Sequence, residues 1–460
     1  MSFPSGSASP TPRVPRRGRR MRRWVGGATL GPLAIVAAVS MQPSLVDANE
    51  LKLYTGELTY PGERKMPIAL PKPVGGSGAV DEFYEVLEND LRLSGWFEIM
   101  EPGSFLEPAG TGVRPGQFRY EDWDSLGTAI LGKTLLQSRN GNQLYAEAWV
   151  YDVAGARRLG ARSFIADGDH ARLLAHKVAN EIIYRVTLRD GPFNTRFAVS
   201  GSFSGSKEIY TVDFDGYGLT RITRNGSINI QPAWDHTGTK IAYTSYAAGN
   251  PDLYVADLAG GQITRVSARN GINSGADWHP SRNLLALTLS PGGNPDIYSL
   301  DGTTGRQMER LTKDLGIDVG VSYSPDGSMI AFSSDRSEKP QIYVANADGS
   351  NPRRVTFMGN YNVDPAWHPD GDKLAFVGRD GNFDVLTINL DGSELTRITQ
   401  GQGDNEDPCF SPDGYYIAFS STRTGQSHIF ASTINGRHQV QLTRGKGGYS
   451  NPDWSPKLDW

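Results

Sequence analysis

Six polar side chains, Asn229, Asn273, Asp318, Asn362, Asn405 and Tyr449, each stand five residues before an aromatic residue, at successive spacings of 44, 45, 44, 43 and 44. Amide, carboxylate and phenol groups in such a set donate and accept hydrogen bonds, which is the chemistry of binding rather than of bond breaking. Asn and Asp also form turns by bonding to their own backbone, so a purely structural role is open at these positions. Reaction chemistry finds less support. The chain has no Gly-x-Ser-x-Gly nucleophile turn, the feature a propeller-bearing peptidase would place on its hydrolase domain. Its seven histidines form no His-Glu-x-x-His or other zinc spacing. His279 and His368 stand where a Trp-Ser-Pro turn has serine. Cys409 is the only cysteine, which excludes an intrachain disulfide and a cysteine-based zinc site. Asp213-Phe-Asp-Gly216 resembles half of a calcium loop but lacks the later ligands. The expectation is an adaptor, not an enzyme, with no catalytic residue, no metal ligand and no cofactor.

The elements that must position the six residues follow from the repeat around them. Gln231-Pro-Ala-Trp234, Gly275-Ala-Asp-Trp278, Gly320-Val-Ser-Tyr323, Asp364-Pro-Ala-Trp367, Asp407-Pro-Cys-Phe410 and Asn451-Pro-Asp-Trp454 align in one register. A turn such as Ser324-Pro-Asp-Gly327 comes next, then alternating apolar strands such as Met329-Ile-Ala-Phe332 and Ile342-Tyr-Val344. An Asp-Gly or Asn-Gly pair precedes a last strand such as Arg397-Ile-Thr399, and such pairs favour tight hairpins because both central positions take positive φ. Four strands in a repeat of about 40–45 residues make a propeller blade. Five units are complete; Phe197 to Thr223 supplies three strands of a sixth, and Asn451 to Pro456 supplies the missing first strand. The predicted fold is therefore an α/β N-terminal domain followed by an all-β six-bladed propeller closed by its C-terminal strand, which leaves no open sheet edge. The repeat tryptophans should fill the spaces between blades. Innermost strands surround the channel, so the six polar residues are expected at one mouth of it, on loops that a rigid scaffold presents for binding. The enzyme alternative that fits this fold is a secreted sialidase-like glycosidase with its site in the channel, but the repeats lack the Ser-x-Asp-x-Gly-x-Thr-Trp turn of such enzymes.

Before Arg196 the repeat gives way to helical periodicity. Val80, Phe83, Leu87 and Leu91 lie on one helix face that should stop near Ser94-Gly95. Leu144, Ala146, Ala148 and Val150 alternate with Tyr145, Glu147, Trp149 and Tyr151, as in a strand covered on both sides. Leu173, Leu174, Val178, Ile182 and Ile183 predict a second helix ahead of Asp190-Gly-Pro192.

Residues 1–48 read as an export signal: seven arginines between Arg13 and Arg23, an apolar stretch from Val25 to Val39, and a small residue, Ala48, at its end. Met21 is an alternative start, and the paired arginines resemble a twin-arginine signal. Removing residues 1–48 takes away seven arginines and one acid, so the formal charge moves from −4 to −10. An acidic mature chain argues against nucleic acid as a partner. The expected organisation is a signal peptide at 1–48, a flexible segment at 49–63, an α/β domain at 64–190, a linker at 191–196 and the propeller at 197–460, with no membrane insertion after cleavage.

Asp90-Leu-Arg-Leu-Ser-Gly-Trp-Phe97, Gly191-Pro-Phe-Asn-Thr-Arg196 and Asp213-Phe-Asp-Gly-Tyr217, together with the repeats, resemble the TolB family of periplasmic propellers of the Tol-Pal system, over essentially the whole mature chain. The resemblance implies a periplasmic adaptor linking the lipoprotein Pal, held at the channel mouth by Asn229, Asn273, Asp318, Asn362, Asn405 and Tyr449, to TolA of the inner membrane, with other outer-membrane or periplasmic proteins as further partners. It implies roles in outer-membrane integrity and in envelope constriction during division. TolA recognition would fall to Asn49, Glu50, Leu51, Lys52, Leu53 and Tyr54. The chain departs from the family pattern at Pro67-Ile-Ala-Leu-Pro-Lys-Pro-Val74, where Pro-Ile-Ala-Val-Val-Pro-Phe is usual, and Asn49 to Glu63 matches the family's N-terminal box poorly.

Overall fold

The structure, a computed structural model, describes residues 61–62, 64–75, 78–139, 143–168 and 170–458; the expected signal at 1–48 and the TolA-directed residues Asn49 to Tyr54 lie outside them. Among the described residues no helix is long and apolar enough to cross a membrane. The first domain runs β1 (Met66–Ala69), α1 (Val80–Leu93), β2 (Phe97–Ile99), α2 (Tyr120–Asp124), β3 (Ile130–Arg139), β4 (Gln143–Asp152), β5 (Arg157–Asp167) and α3 (Ala171–Thr187). The sheet order is β2-β1-β3-β4-β5, with β1 parallel to both neighbours and β3 to β5 an antiparallel meander. Phe83, Leu87 and Leu91 of α1 interlock with Leu174, Val178 and Ile182 of α3 above one sheet face. Trp123, Trp149 and Tyr151 build a second core on the other face, so β4 is covered on both sides. α1 ends where Gly95 takes φ +72, a left-handed position at which a Cβ would stand 2.7 Å from His438 Cδ2.

Six four-stranded sheets follow. Their inner strands, in blades 1 to 6, are Asn229–Trp234, Asn273–Trp278, Asp318–Tyr323, Asn362–Trp367, Asn405–Phe410 and Tyr449–Trp454, each packed against the next around the ring. Blade 6 joins the two ends of the propeller: Tyr449 pairs with Gly201 and Trp454 with Phe197, in antiparallel register. The repeat aromatics are buried between blades. Trp278 donates its indole N–H to Ala233 O of the preceding blade (3.2 Å), and Trp367 donates to Ser322 O (3.1 Å). The turn residues are structural too: His279 packs on Tyr323 and His368 on Phe410. Asp213 and Asp215, the half calcium loop, accept from Arg196 and Arg172.

The α/β domain packs on two turns at one face of the propeller, the one after the inner strand of blade 5 and the one after the third strand of blade 6. Tyr416 donates its hydroxyl to Ser94 O (2.6 Å), Trp96 meets Tyr415 edge to face, and Arg172 of α3 pairs with Asp215. Beneath that pair, His176 Nδ1 and Asp90 Oδ2 are 2.7 Å apart and buried. Burial pushes the Asp90 carboxyl up to about 6. Burial opposes charge on His176 as well, but Asp90 and then Asp215 outweigh it and hold the imidazolium above its ordinary range. The segment 191–196, expected as a linker, is core instead: Phe193 and Thr195 are buried, and Trp454 donates its indole N–H to Thr195 Oγ1 (2.7 Å). Leu91, Ile183, Phe197, Phe214, Tyr416 and Trp454 belong to one apolar cluster shared by both domains, which holds them far more firmly than a polar interdomain contact does. Of the segment expected to be flexible, Gly62 is tied back by its N–H to Gly95 O (3.1 Å).

Ending the chain at Gly448 removes the inner strand of blade 6. The expected result is loss of the cooperative thermal transition of the propeller, followed by near-ultraviolet circular dichroism; an unaltered melting curve would show that closure is dispensable.

Candidate functional site

The inner strands all begin at one face of the propeller, and the α/β domain covers turns at the other, so among the described residues the face where the strands begin is a free mouth. The six residues expected to line it are Asn229, Asn273, Asp318, Asn362, Asn405 and Tyr449, and each is the first residue of an inner strand. Their exposure is only 0–6%. Asn229 Nδ2 donates to Glu208 Oε2 (3.0 Å) and Asn273 Nδ2 to Pro251 O (3.1 Å), both on the preceding blade. Asn362 Nδ2 donates to Gln341 Oε1 (2.9 Å) of blade 3. Asp318 receives Arg336 Nη2 on both oxygens, Asn405 Oδ1 receives Ser421 Oγ (2.7 Å), and Tyr449 packs on Phe203. The expected partner-facing ring is therefore turned inward. A buried amide that meets its hydrogen bonds inside the protein binds blade to blade, and of the ring's amides only Asn362 keeps its oxygen without a donor among the described residues.

The position just before Asn229, Asn273 and Asp318 faces out. Ile228, Ile272 and Ile317 are 50%, 36% and 46% exposed, and Tyr361 of blade 4 is half-buried. Their carbonyls accept from Tyr246, Ser290, Asp335 and Arg379 N–H groups in the loops that rim the mouth. Leu315 and Met358, in loops that lead into inner strands, are exposed as well, and the exposed Phe357 ring lies beside the Gly392 turn. The signal for this crown was present: apolar residues at 228, 272, 317 and 361 keep the repeat spacing of 44, 45 and 44. Apolar side chains exposed together are candidates for a contact surface.

Below the crown every inner strand carries a bulge, where the register against the second strand shifts. The bulged residues are Gln231, Gly275, Gly320, Asp364, Asp407 and Asn451, all at φ between +51 and +64. Gly, Asn and Asp tolerate this left-handed conformation best, which accounts for five of the six residue types. The bulges turn a band of polar groups into the channel. Asp407 accepts from Ser420 Oγ (2.7 Å) and Asn451 Nδ2 (2.9 Å). Asp364 is reached by channel water, yet the strands around it exclude the hydration shell of a free carboxylate. That enclosure, with Asp407 and Glu406 nearby, pushes its carboxyl up to about 7. Glu406 is raised by the same enclosure and then by Asp407. Deeper, burial pushes Asp277 up to about 6 and Asp453 up to about 8. Asp277 Oδ2 accepts from Tyr323 N (2.7 Å) and Asp453 Oδ2 from Trp234 N (2.6 Å), each stitching two blades. Among the described residues no group of three or more His, Cys, Asp or Glu is arranged to hold a metal ion. The mouth thus offers an apolar crown over an acidic throat.

Residues 57–159 match the model of the TolB amino-terminal domain, and residues 183–458 match the TolB beta propeller domain. A Chlorobium luteolum protein named Protein TolB homolog is 33% identical over 401 residues, 86% of this chain and 91% of its own length. An Anaeromyxobacter dehalogenans Tol-Pal system protein TolB is 36% identical over 342 residues, 73% of this chain and 67% of its own. The match to a Geobacter sulfurreducens Tol-Pal system protein TolB, at 37% identity, spans about half of that relative, 48% of its length and 45% of this chain. The crystal structure of TolB from Acinetobacter baumannii superposes with a TM-score of 0.79 at 26% identity, covering 87% of this chain and 99% of that one.

Asp364 holds a proton in the folded protein up to about pH 7, whereas an ordinary aspartate loses it near 3.8. Its contribution is therefore most favourable below the lower value and declines as pH rises through the upper one. Replacing Asp364→Asn should raise the melting temperature at pH 8 by roughly 1–3 °C and leave it unchanged at pH 4, measured by scanning calorimetry; equal shifts at both pH values would show that the carboxyl is not strained by its site.

Proposed function

The chain belongs to the TolB family of Tol-Pal propeller proteins, and from that premise we propose that it is a periplasmic adaptor that holds Pal at the free mouth and reaches TolA through its N-terminal segment. In this reading the propeller binds and does not catalyse. It links an outer-membrane lipoprotein to an inner-membrane protein and supports outer-membrane integrity and envelope constriction during cell division. The observation that carries it is the apolar crown of Ile228, Ile272, Ile317 and Met358, exposed where the inner strands begin, on the face away from the α/β domain. Apolar side chains held on rigid strand ends lose little entropy on docking, so the crown supplies affinity and the polar rim supplies register. The throat beneath it, rich in carboxyl oxygens, favours a partner surface with hydrogen-bond donors at its centre.

Residues Asn49, Glu50, Leu51, Lys52, Leu53 and Tyr54 are proposed to add to TolA as an extended strand, a mode in which backbone hydrogen bonds provide much of the affinity.

Titration calorimetry with the cognate Pal tests the mouth. Ile272→Asp or Ile317→Asp should weaken binding about tenfold or more, the cost of removing a central apolar anchor, at an unchanged melting temperature. Asn273→Ala should instead destabilise the propeller by about 1–3 kcal/mol, since it strips the partner from buried carbonyls. Full Pal affinity in both isoleucine variants would reject the crown as the contact. Deleting residues 49–60 should abolish TolA binding and spare Pal binding; TolA affinity that survives the deletion would remove the strand-addition idea.

A further inference from the structure

Blade 4 departs from its neighbours at one place, and the departure leaves a built cavity. In blade 3 the loop after the second strand sends Arg336 back over the blade. Its guanidinium lies 5.4 and 5.0 Å from the ring centroids of Phe332 and Tyr343 and bonds both oxygens of Asp318 at 2.8 and 2.9 Å. Arg423 does the same in blade 5, 5.3 and 4.4 Å from Phe419 and Phe430, with Nη2 2.9 Å from Asn405 Oδ1. Strand pairing puts Ser334 opposite Asp318 and Ser421 opposite Asn405. The residue opposite Asn362 is Gly378, which has no hydroxyl. Five residues separate the paired Gly378 and Asp384, where six separate Ser334 from Gln341 and Ser421 from His428. The shorter connection is drawn into a straight hairpin, and Asp380 stands two residues after Gly378, where blades 3 and 5 carry their arginine.

The amide of Asn362 is consequently half used. Its Nδ2 donates to Gln341 Oε1 (2.9 Å) and Met358 O (2.8 Å), which fixes the orientation of the group and points Oδ1 the other way. No side chain in blade 4 donates to that oxygen in the way Ser421 and Arg423 donate to Asn405. Asn225 serves Asn229 (2.9 Å) and Ser267 serves Asn273 (2.6 Å), so Asn362 is the exception in the ring. Asn362 is 4% exposed and lines a cavity of about 390 Å³ with Phe376, Gly378 and Leu386. Met358, 70% exposed, forms its lip at the loop that leads into the inner strand, and Phe357, 68% exposed, forms its lip beside the Gly392 turn. Arg397, at one wall, is held by Asp384, and Arg379 lies over Phe383 at 5.1 Å.

We propose that this cavity receives an arginine side chain of the protein that docks on the mouth, so that the partner's guanidinium takes the place over Phe376 and against Asn362 Oδ1 that Arg336 and Arg423 fill in blades 3 and 5. The proposal rests on the reading of the mouth as the docking face. A guanidinium matches both walls: its plane stacks on an aromatic ring while its edge donates to an amide oxygen. An ammonium offers no plane, and an aromatic side chain without an N–H or O–H donor leaves Asn362 unsatisfied.

Ethylguanidinium titrated into the full chain at constant ionic strength is the direct probe, read on the Asn362 side-chain amide signals by nuclear magnetic resonance. A saturable shift is expected, roughly tenfold weaker with propylammonium, which lacks the planar donor fork. Gly378→Ser should remove the response by supplying the hydroxyl that Ser421 supplies in blade 5. Its new Cβ meets the end of Leu386 at 2.7 Å, Asn362 Oδ1 at 3.3 Å and, in ordinary contact, Phe376 Cε2 at 3.7 Å. Asp380→Arg, which supplies a guanidinium within the chain, is the second variant should the first fold poorly. No shift, an equal response to propylammonium, or a response that persists in both variants overturns the proposal. Where the wild-type chain binds Pal, either variant should weaken that binding about tenfold; unchanged affinity overturns the assignment of the partner's arginine. If wild-type chain and Pal do not associate, the docking reading itself falls, and the guanidinium titration separately decides the cavity.

Discussion

The propeller depends on a pairing between residues about 250 apart in sequence: Tyr449–Trp454 lies antiparallel to Arg196–Gly201 and completes blade 6. A ring of blades has no stable open form, because an unclosed ring exposes the flanks of its first and last sheets and the edge of an incomplete one. Closure from both ends also places the seam beside the α/β domain. Phe193, Thr195 and Trp454 meet there, so the junction between the domains and the junction that shuts the ring share one apolar cluster. Loosening either would be felt by the other, since packed side chains of one core are not independent.

Two rings of positions divide the work inside the propeller. The buried amides that begin four of the inner strands tie each of those blades to the one before, while the Asp318 carboxylate holds Arg336 of its own blade. The bulged residues three before each aromatic sit at positive φ and break the alternation of the strand, and that break turns Asp364, Asp407 and Asn451 toward the channel. Carboxyls gathered in so narrow a space cannot all be well hydrated, and burial raises Asp277, Asp364 and Asp453 together. The protein tolerates this in part by using the same oxygens as acceptors for backbone N–H groups of adjoining blades. With polar groups spent on holding blades and lining the throat, the outward-facing positions at the mouth are left apolar.

The sequence by itself determined the architecture in the parts where structure is local or repeated. Apolar spacing placed α1 and α3, Gly95 ended α1, and counting the repeat from both ends set the number of blades and the origin of the closing strand. It could not decide which way a side chain turns at a strand end. A shift of one residue reverses the face presented, and a bulge adds the residue that upsets the count. The ring of Asn229, Asn273, Asp318, Asn362, Asn405 and Tyr449 therefore looked like a lining for the mouth, while the tertiary structure made it a set of ties and exposed Ile228, Ile272 and Ile317 instead. The segment 191–196 is a similar case, since Gly191-Pro192 suggests a connector and only the meeting of two domains buries Phe193. Tertiary structure alone also decided that Asn362 has an oxygen without a donor among the described residues, because that depends on what Gly378 and a hairpin shorter by one residue fail to bring to it.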